Sequence, residues 1–497
     1  MTALLIGDEP LTPEAVVAAA RGGTIDVELS AAACDRIARS HAAAEAAAEQ
    51  RTVYGRTTGV GANRHDPVPA SDRRAHSVRL LRSHAGGVGD ALPAEVVGAT
   101  LLIRLAQMAA GGGGHRAEIA DALAGILRAG PLPVLRDLGA IGTGDITLMA
   151  QLGLALSGEG EWAPRAAVAP LRSSVEPPPD AGARITIEAG DALALMSSNA
   201  ATHAAAALAW ADARELLDAG LGTAALTFHA LAGNREAFAP QLAAARPLPG
   251  LADVSERLRV LTEGAPAPAR VQDPFGLRCL PPVAGALHAA AAGLHGVLAV
   301  EINAAAENPL IAGGEVLHHG GFHAAPCALA LDTLRLALVP FASMSAARLA
   351  HLMEPGLSGL PVFLSVDAPG SSGVLIAEYL AADALARLRA EAVPAVLGTV
   401  AISRGLEEHA SFAWQAAGQA RRAVLHLRTV LALEWVVAER ALRMQGAPVA
   451  GVLGPLRALA TGFDARLEDR PIGPDVALAD AALPALARSV RAATASG

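Results

Sequence analysis

Apolar residues at helical spacing dominate the chain, broken by short glycine- and proline-rich joints. Thr12-Pro13-Glu14 supplies a cap, a first-turn proline and an early acid, which start a helix. Thr24 to Leu29 alternates as a short strand, and Ser30 then caps an Ala-rich helix to about Arg51. The pattern predicts helices over Ser71–His84, Pro93–Ala110 and His115–Ala129, with the four glycines at 111–114 as a hinge or helix end. Another helix runs to Leu156, followed by a Gly- and Pro-rich passage from Gly158 to Pro179 and a short strand over Arg184–Ile187. Long helices are expected over Asp191–Asp218, Val283–Ala306, Ala325–Met353, Val374–Ala392 and Ser411–Met444. Pro247 to Pro282 reads as loop-rich, and the tail from Gly451 as a few shorter helices with Pro breaks. The fold class is mainly α, a bundle of long helices with loops gathered at a loop-rich N-terminal part. The expected division is an active-site loop domain over residues 1–200 and a helical bundle domain over 201–497.

Composition narrows the function. Aromatics are only 3% of 497 residues, so Ala and Leu must fill the core, which favours closely packed helices. All the positive charge is Arg; with no Lys there is no Schiff-base lysine, which excludes a pyridoxal-phosphate enzyme. A net charge of −9 without a basic stripe argues against nucleic acid. Cys34, Cys279 and Cys327 are far apart and odd in number, which fits a reducing cytoplasm rather than a disulfide framework. The N-terminus lacks the basic and apolar regions of a signal peptide. Pro281 to Val300 is uncharged and of membrane length, but its His288, His295 and many Ala suit a buried core helix, so no membrane partner is expected.

Candidate chemistry gathers in the joints. Leu138-Gly-Ala-Ile-Gly142-Thr143-Gly144-Asp145 is a tight, side-chain-poor loop with Thr143 as its only reactive side chain before Asp145. Its plain alternative is a turn in which Thr143 or Asp145 caps the helix from Ile146. Tyr54, one of two tyrosines, sits in a Gly-rich loop; a phenol there acts as a general base if cations or dipoles lower its pKa, and otherwise is an ordinary loop residue. Arg278 is suited to a two-bonded grip on a substrate carboxylate, or to an ion pair with Asp273 or Glu301. Glu407-Glu408-His409 holds a candidate functional acid. His318, His319 and His323 with Glu315 raise a metal question, but no helical HxxxH accompanies them and no metal is expected.

Taken in order, these loops resemble the histidine/phenylalanine ammonia-lyase family. Tyr54-Gly-Arg-Thr-Thr-Gly-Val-Gly61 is similar to that family's Tyr-Gly-x-Asn-Thr-Gly-Phe-Gly, and Ser83-His84-Ala-Gly-Gly to its Ser-His-Ala-Ala-Gly. Gln272-Asp-Pro-Phe-Gly-Leu-Arg-Cys279 resembles Gln-Asp-x-Tyr-Ser-x-Arg-Cys. Asn303–Leu310, Gly320-Gly-Phe322-His323, Leu357–Pro361 and Glu407–Ser411 follow in family order. The resemblance implies the helical architecture of the fumarase/aspartase-like superfamily and a homotetramer whose sites draw loops from several subunits. It also implies MIO, an electrophile made when an Ala-Ser-Gly tripeptide cyclises and loses water; this captures the substrate amine while a Tyr removes the β-proton.

Here the matching tripeptide is Gly142-Thr143-Gly144, whose product would be a more hindered methyl-substituted alkene. The Asn that supports the ring maps to Ser197, the second Tyr to Phe275, and the Asn before Phe322-His323 to Gly321. The substrate half is kept: Tyr54 matches the base, Arg278 the carboxylate clamp, and His84 with Glu407 the side-chain selectivity positions of the histidine-specific enzymes. The pocket then suits a polar or cationic ring, although the Gln before the family's Glu is Leu406. The leading expectation is a lyase-like enzyme without MIO or an external cofactor, in which Tyr54 promotes elimination, isomerisation or cyclisation of a small carboxylate-bearing substrate. The alternatives are an ammonia-lyase or aminomutase with a Thr-derived ring, and an inactive homologue with a scaffold or regulatory role.

Overall fold

The computed structural model describes residues 3–165, 184–366, 369–446 and 451–495. Its compact units interleave along the chain. The first comprises Met1–Leu208, Leu294–Leu331 and Pro394–Gly418; the second comprises Ala209–Gly293, Asp332–Val393 and Gln419–Gly497. Helices dominate both, and the strands form two-stranded ribbons in the first unit.

Several local readings are met closely. Thr12 accepts from Ala15 N–H at the head of Pro13–Arg21, and Ser30 from Ala33 N–H at the head of Ala31–Gln50. Val27–Leu29 is a strand, paired in parallel with Leu4–Ile6. Other readings are corrected. Arg184–Ile187 is extended but forms no strand: among the described residues its one backbone–backbone bond runs from Ile185 N–H to Leu156 O. Asp191–Asp218 is two helices, Asp191–Met196 and Ala200–Ala230, parted at Ser197-Ser198-Asn199, whose side chains bond outside the helix. The stretch read as loop-rich contains the helix Leu251–Leu261. Gly473–Thr494 continues through Pro484 as one helix where Pro breaks were expected. The passage from Gly158 to Pro179 lies, beyond residue 165, outside the described residues.

In the first unit, Ala94–Ala109 is the central helix, buried on every side from Val96 to Ala109. Its polar side chains bind backbone that leads to the candidate loops. Arg104 pairs with Glu307 (2.8 Å) and donates to Ala194 O. Gln107 accepts from Ser198 Oγ (2.7 Å) and donates to Glu301 O (3.1 Å). A buried charge of this kind is tolerated only when paired and hydrogen-bonded, so these groups set the place of the 194–198 and 301–307 segments.

The helix Leu280–Glu301 is not buried all round as expected. Ala284, Leu287, Ala291, Leu294 and Leu298 form its buried stripe, while Val300 on another face is exposed. This helix and Ala325–Met353 are long and apolar enough to cross a membrane by length and composition alone. The second unit is packed with small residues: at Gly220 an added Cβ would lie 2.5 Å from the Phe341 ring. Within it Glu434 is fully buried and fully used. Arg348 meets both carboxylate oxygens at 2.6 and 2.7 Å, and Thr227 and Ser345 donate at 2.8 and 2.6 Å. Removing one partner of such a pair leaves an uncompensated charge. Arg348→Met is therefore expected to lower unfolding stability by about 3–5 kcal/mol, read from the denaturant midpoint. An unchanged midpoint would count against this account of the core.

Candidate active site

The Thr143 loop is tied down on both sides. Phe412 N–H donates to Ile141 O (2.8 Å), while Ser411 Oγ (2.6 Å) and Ala324 N–H (3.3 Å) donate to Gly142 O. Beyond Thr143, Gly144 N–H donates to Asn199 Oδ1 (3.1 Å) and Asp145 N–H to Ser198 O (2.6 Å). Asn199 in turn donates to Phe322 O (2.6 Å). Gly142 has φ +81° and Gly144 φ +99°, both in the region that side-chain-bearing residues avoid. Space adds to that constraint at Gly142: a Cβ there would lie 2.1 Å from Ser411 Oγ and 2.6 Å from Ala413 N.

Asp145 occupies the cap position of helix Ile146–Ser157, yet its carboxylate does not cap that helix. It reaches instead to the start of Ala200–Ala230, accepting from Thr202 N–H (2.8 Å) and Thr202 Oγ1 (2.7 Å). Those donors sit at a helix N-terminus, where negative charge is favoured. Complete burial outweighs them and pushes the carboxyl up to about 6.

Thr143 faces a cavity of about 390 Å³. Its polar lining is Tyr54, Ser197, Asn308, His323, Glu407, Glu408 and His409; Ile146, Leu193, Phe322 and Leu406 supply apolar walls. Tyr54 is anchored through its hydroxyl, which accepts from Gly61 N–H (2.7 Å), and through its N–H, which donates to His318 Nε2 (3.2 Å). The next residue, Ala62, donates from its N–H to Ser403 Oγ (3.0 Å). Ser403 and Arg404 hold left-handed backbone, φ +53° and +60°, on the turn closed by the Ile402–Glu407 bridge. One strained turn therefore places both Glu407 and the loop that holds Tyr54. Burial raises the Tyr54 pKa above its ordinary value and Glu407 adds to the rise, against the Gly61 N–H and Arg64, which lower it. The phenol of the chain itself is thus protonated at neutral pH. His323 Nε2 and His409 Nδ1 are 3.0 Å apart, with ring centroids 5.1 Å apart and the planes 30° from parallel.

Of the expected site residues, Tyr54, Thr143, Ser197, Phe322 and Glu407 converge on this cavity, and Gly142 and Gly144 flank Thr143. His84 is not among the lining residues; its Nδ1 meets Leu80 O at 2.9 Å, within its own helix. Phe275 and Arg278 belong to the second unit. There the Arg278 guanidinium stacks 4.5 Å from the Phe275 ring, its Nε is buried without a hydrogen-bond partner among the described residues, and Asp273 pairs with Arg270 instead. Among the described residues, no three His, Cys, Asp or Glu side chains converge as metal ligands. Sequence reasoning passed over Asn199, Ser403 and Ser411, and the pairing of His323 with His409 across 86 residues. These polar residues have no distinguishing local pattern, because their partners come from distant segments.

A helical chain whose loops enclose a tyrosine, a carboxylate and a glycine-flanked hydroxyl has the outline of an amino acid lyase. Comparison with known proteins makes that specific. The family model for aromatic amino acid lyases matches residues 11–460. The histidine ammonia-lyase of Anaeromyxobacter dehalogenans is 35% identical over 95% of this chain and 94% of its own length. That of Deinococcus radiodurans is 34% identical over 95% and 92%. The crystal structure of histidine ammonia-lyase from Trypanosoma cruzi superposes with a TM-score of 0.88 at 26% identity, covering 99% of this chain and 96% of the other. The chain belongs to the aromatic amino acid lyase family.

Three positions bear on the self-derived ring that the sequence resemblance implies. The alanine that begins its tripeptide has no room at Gly142, Thr143 carries an extra methyl, and Ser197 Oγ is engaged by Asn308 N–H (2.8 Å). Gly142→Ala should lower stability by about 2–4 kcal/mol, combining left-handed backbone with overpacking; an unchanged melting curve would mean that the loop yields freely. The Asp145 carboxyl is raised on folding from 3.8 to about 6, so its contribution is complete below pH 3.8 and lost as pH rises through 6. Asp145→Asn should therefore shrink the stability difference between about pH 4 and pH 7 by on the order of 3 kcal/mol, measured by urea titration at both values.

Proposed function

We propose that this chain is a histidine ammonia-lyase-like enzyme that works without the self-derived electrophile. In this reading Tyr54 moves a proton in an elimination, isomerisation or cyclisation of a small carboxylate-bearing substrate. The observation that carries it is Gly142, whose Cβ position is filled by Ser411 and Ala413 on the loop that presents Thr143. An enzyme that lacks amine capture needs either a better leaving group than ammonia or a more acidic proton.

Tyr54, Glu407 and Glu408 lining one cavity support proton transfer to or from a ligand with a polar or cationic ring. Burial keeps the Tyr54 phenol protonated, and a substrate cation beside it would stabilise the phenolate that a base requires. Arg278 has a buried, unpartnered Nε and an adjacent ring 64% exposed, which suits a role as carboxylate clamp for a neighbouring copy in a homotetramer. A Thr-derived ring is the second reading, favoured by Thr143 facing the cavity and by the retained Asp145.

Intact mass spectrometry separates the two. The unmodified mass is expected; a deficit of two waters in the Thr143 peptide would establish the ring instead. On any substrate found by screening histidine and its analogues, Tyr54→Phe should reduce kcat by about a hundredfold or more, while Thr143→Ala retains turnover.

A further inference from the structure

Elimination without an electrophile creates a second demand besides the base. The departing group carries away an electron pair, and unless it is a stable anion it must gain a proton as it leaves. Building on the reading above, we propose that His409, backed by His323, is the acid that delivers this proton.

His323 Nε2 and His409 Nδ1 lie 3.0 Å apart, both residues line the cavity with Thr143 and Tyr54, and their ring centroids are 5.1 Å apart with the planes 30° from parallel, so the two nitrogens face each other edge to edge. A bond between two imidazole nitrogens holds one proton between them, so one ring donates and the other accepts. With His409 donating from Nδ1, its Nε2 is the nitrogen left for a ligand, and His323 fixes the ring and the tautomer. Burial and the neighbouring His409 lower the proton affinity of His323, which keeps it the neutral acceptor. The other titratable groups lining the cavity are Tyr54, Glu407 and Glu408, with Arg64 acting on Tyr54.

The step balances. The Tyr54 phenolate takes a carbon-bound proton, and the C–H electron pair becomes the new C=C bond. The bond to the leaving oxygen breaks with its pair on oxygen, which takes the Nε2 proton of His409. Tyr54 ends as phenol and His409 as neutral imidazole; passing one proton from phenol to imidazole resets the site.

The test uses the full-length protein and two histidine analogues, with the amine replaced by hydroxyl or by chloride. Chloride leaves as a stable anion and needs no acid, whereas hydroxide does. The wild type should eliminate from both. His409→Gln should lose about a hundredfold or more on the α-hydroxy analogue and only a few-fold on the α-chloro analogue. His323→Leu should move the alkaline limb of the α-hydroxy pH profile to lower pH, because the cation on His409 loses its acceptor. Equal losses on both analogues in His409→Gln, or an unmoved limb in His323→Leu, overturn the acid assignment. Wild-type elimination from the α-chloro analogue alone also removes the acid but leaves the lyase reading standing. No elimination from either overturns that reading and the acid with it.

Discussion

The candidate site depends on the absence of a side chain at Gly142. Its carbonyl receives Ser411 Oγ and Ala324 N–H, and the Phe412 N–H bonds to the preceding carbonyl of Ile141. Backbone can approach backbone this closely only where no Cβ intervenes. Thr143 is held between these bonds on one side and those of Gly144 and Asp145 on the other, so the only side chain between two glycines is presented to the cavity. The same closeness that fixes Thr143 removes the room that the family's alanine would need.

Behind the loop, electrostatics is arranged around burial. Among the described residues the Asp145 carboxylate has no cation partner; its charge is met by the donors of Thr202 at a helix N-terminus. Arg104 and Glu307 hold each other on the central helix, and Gln107 anchors Ser198. Each places backbone near the cavity by the same rule: a buried polar group stays only where its partners are. In front of the loop, the strained Ser403–Arg404 turn connects Glu407 to the Tyr54 loop, so two polar groups of the cavity share one support. Substituting either strained residue would disturb both.

Burial acts on Tyr54 and His323 in the same sense, against charge: desolvation holds the phenol protonated and the imidazole neutral. Glu407, Glu408 and His409 line the same cavity.

Much of this protein was legible along the chain. Caps at Thr12 and Ser30, helical periodicity and glycine punctuation are local effects, decided by neighbours within a turn. The ordered loop motifs carried the family, and Tyr54, Thr143, Ser197, Phe322 and Glu407 do meet at one cavity. Other features required tertiary structure, for a physical reason: they are contacts between segments far apart in sequence. The break at Ser197-Ser198-Asn199 follows from hydrogen bonds to Gln107, Gly144 and Asn308. Asp145 reads as a cap for its own helix and instead serves another. His323 and His409 become a pair only in the folded chain, and Gly142 loses the room for a Cβ only once Ser411–Ala413 folds against the loop. Sequence by itself determined which elements form and which residues are available for chemistry. The packing of distant segments decided which of those residues share a proton, a helix terminus or a lack of space.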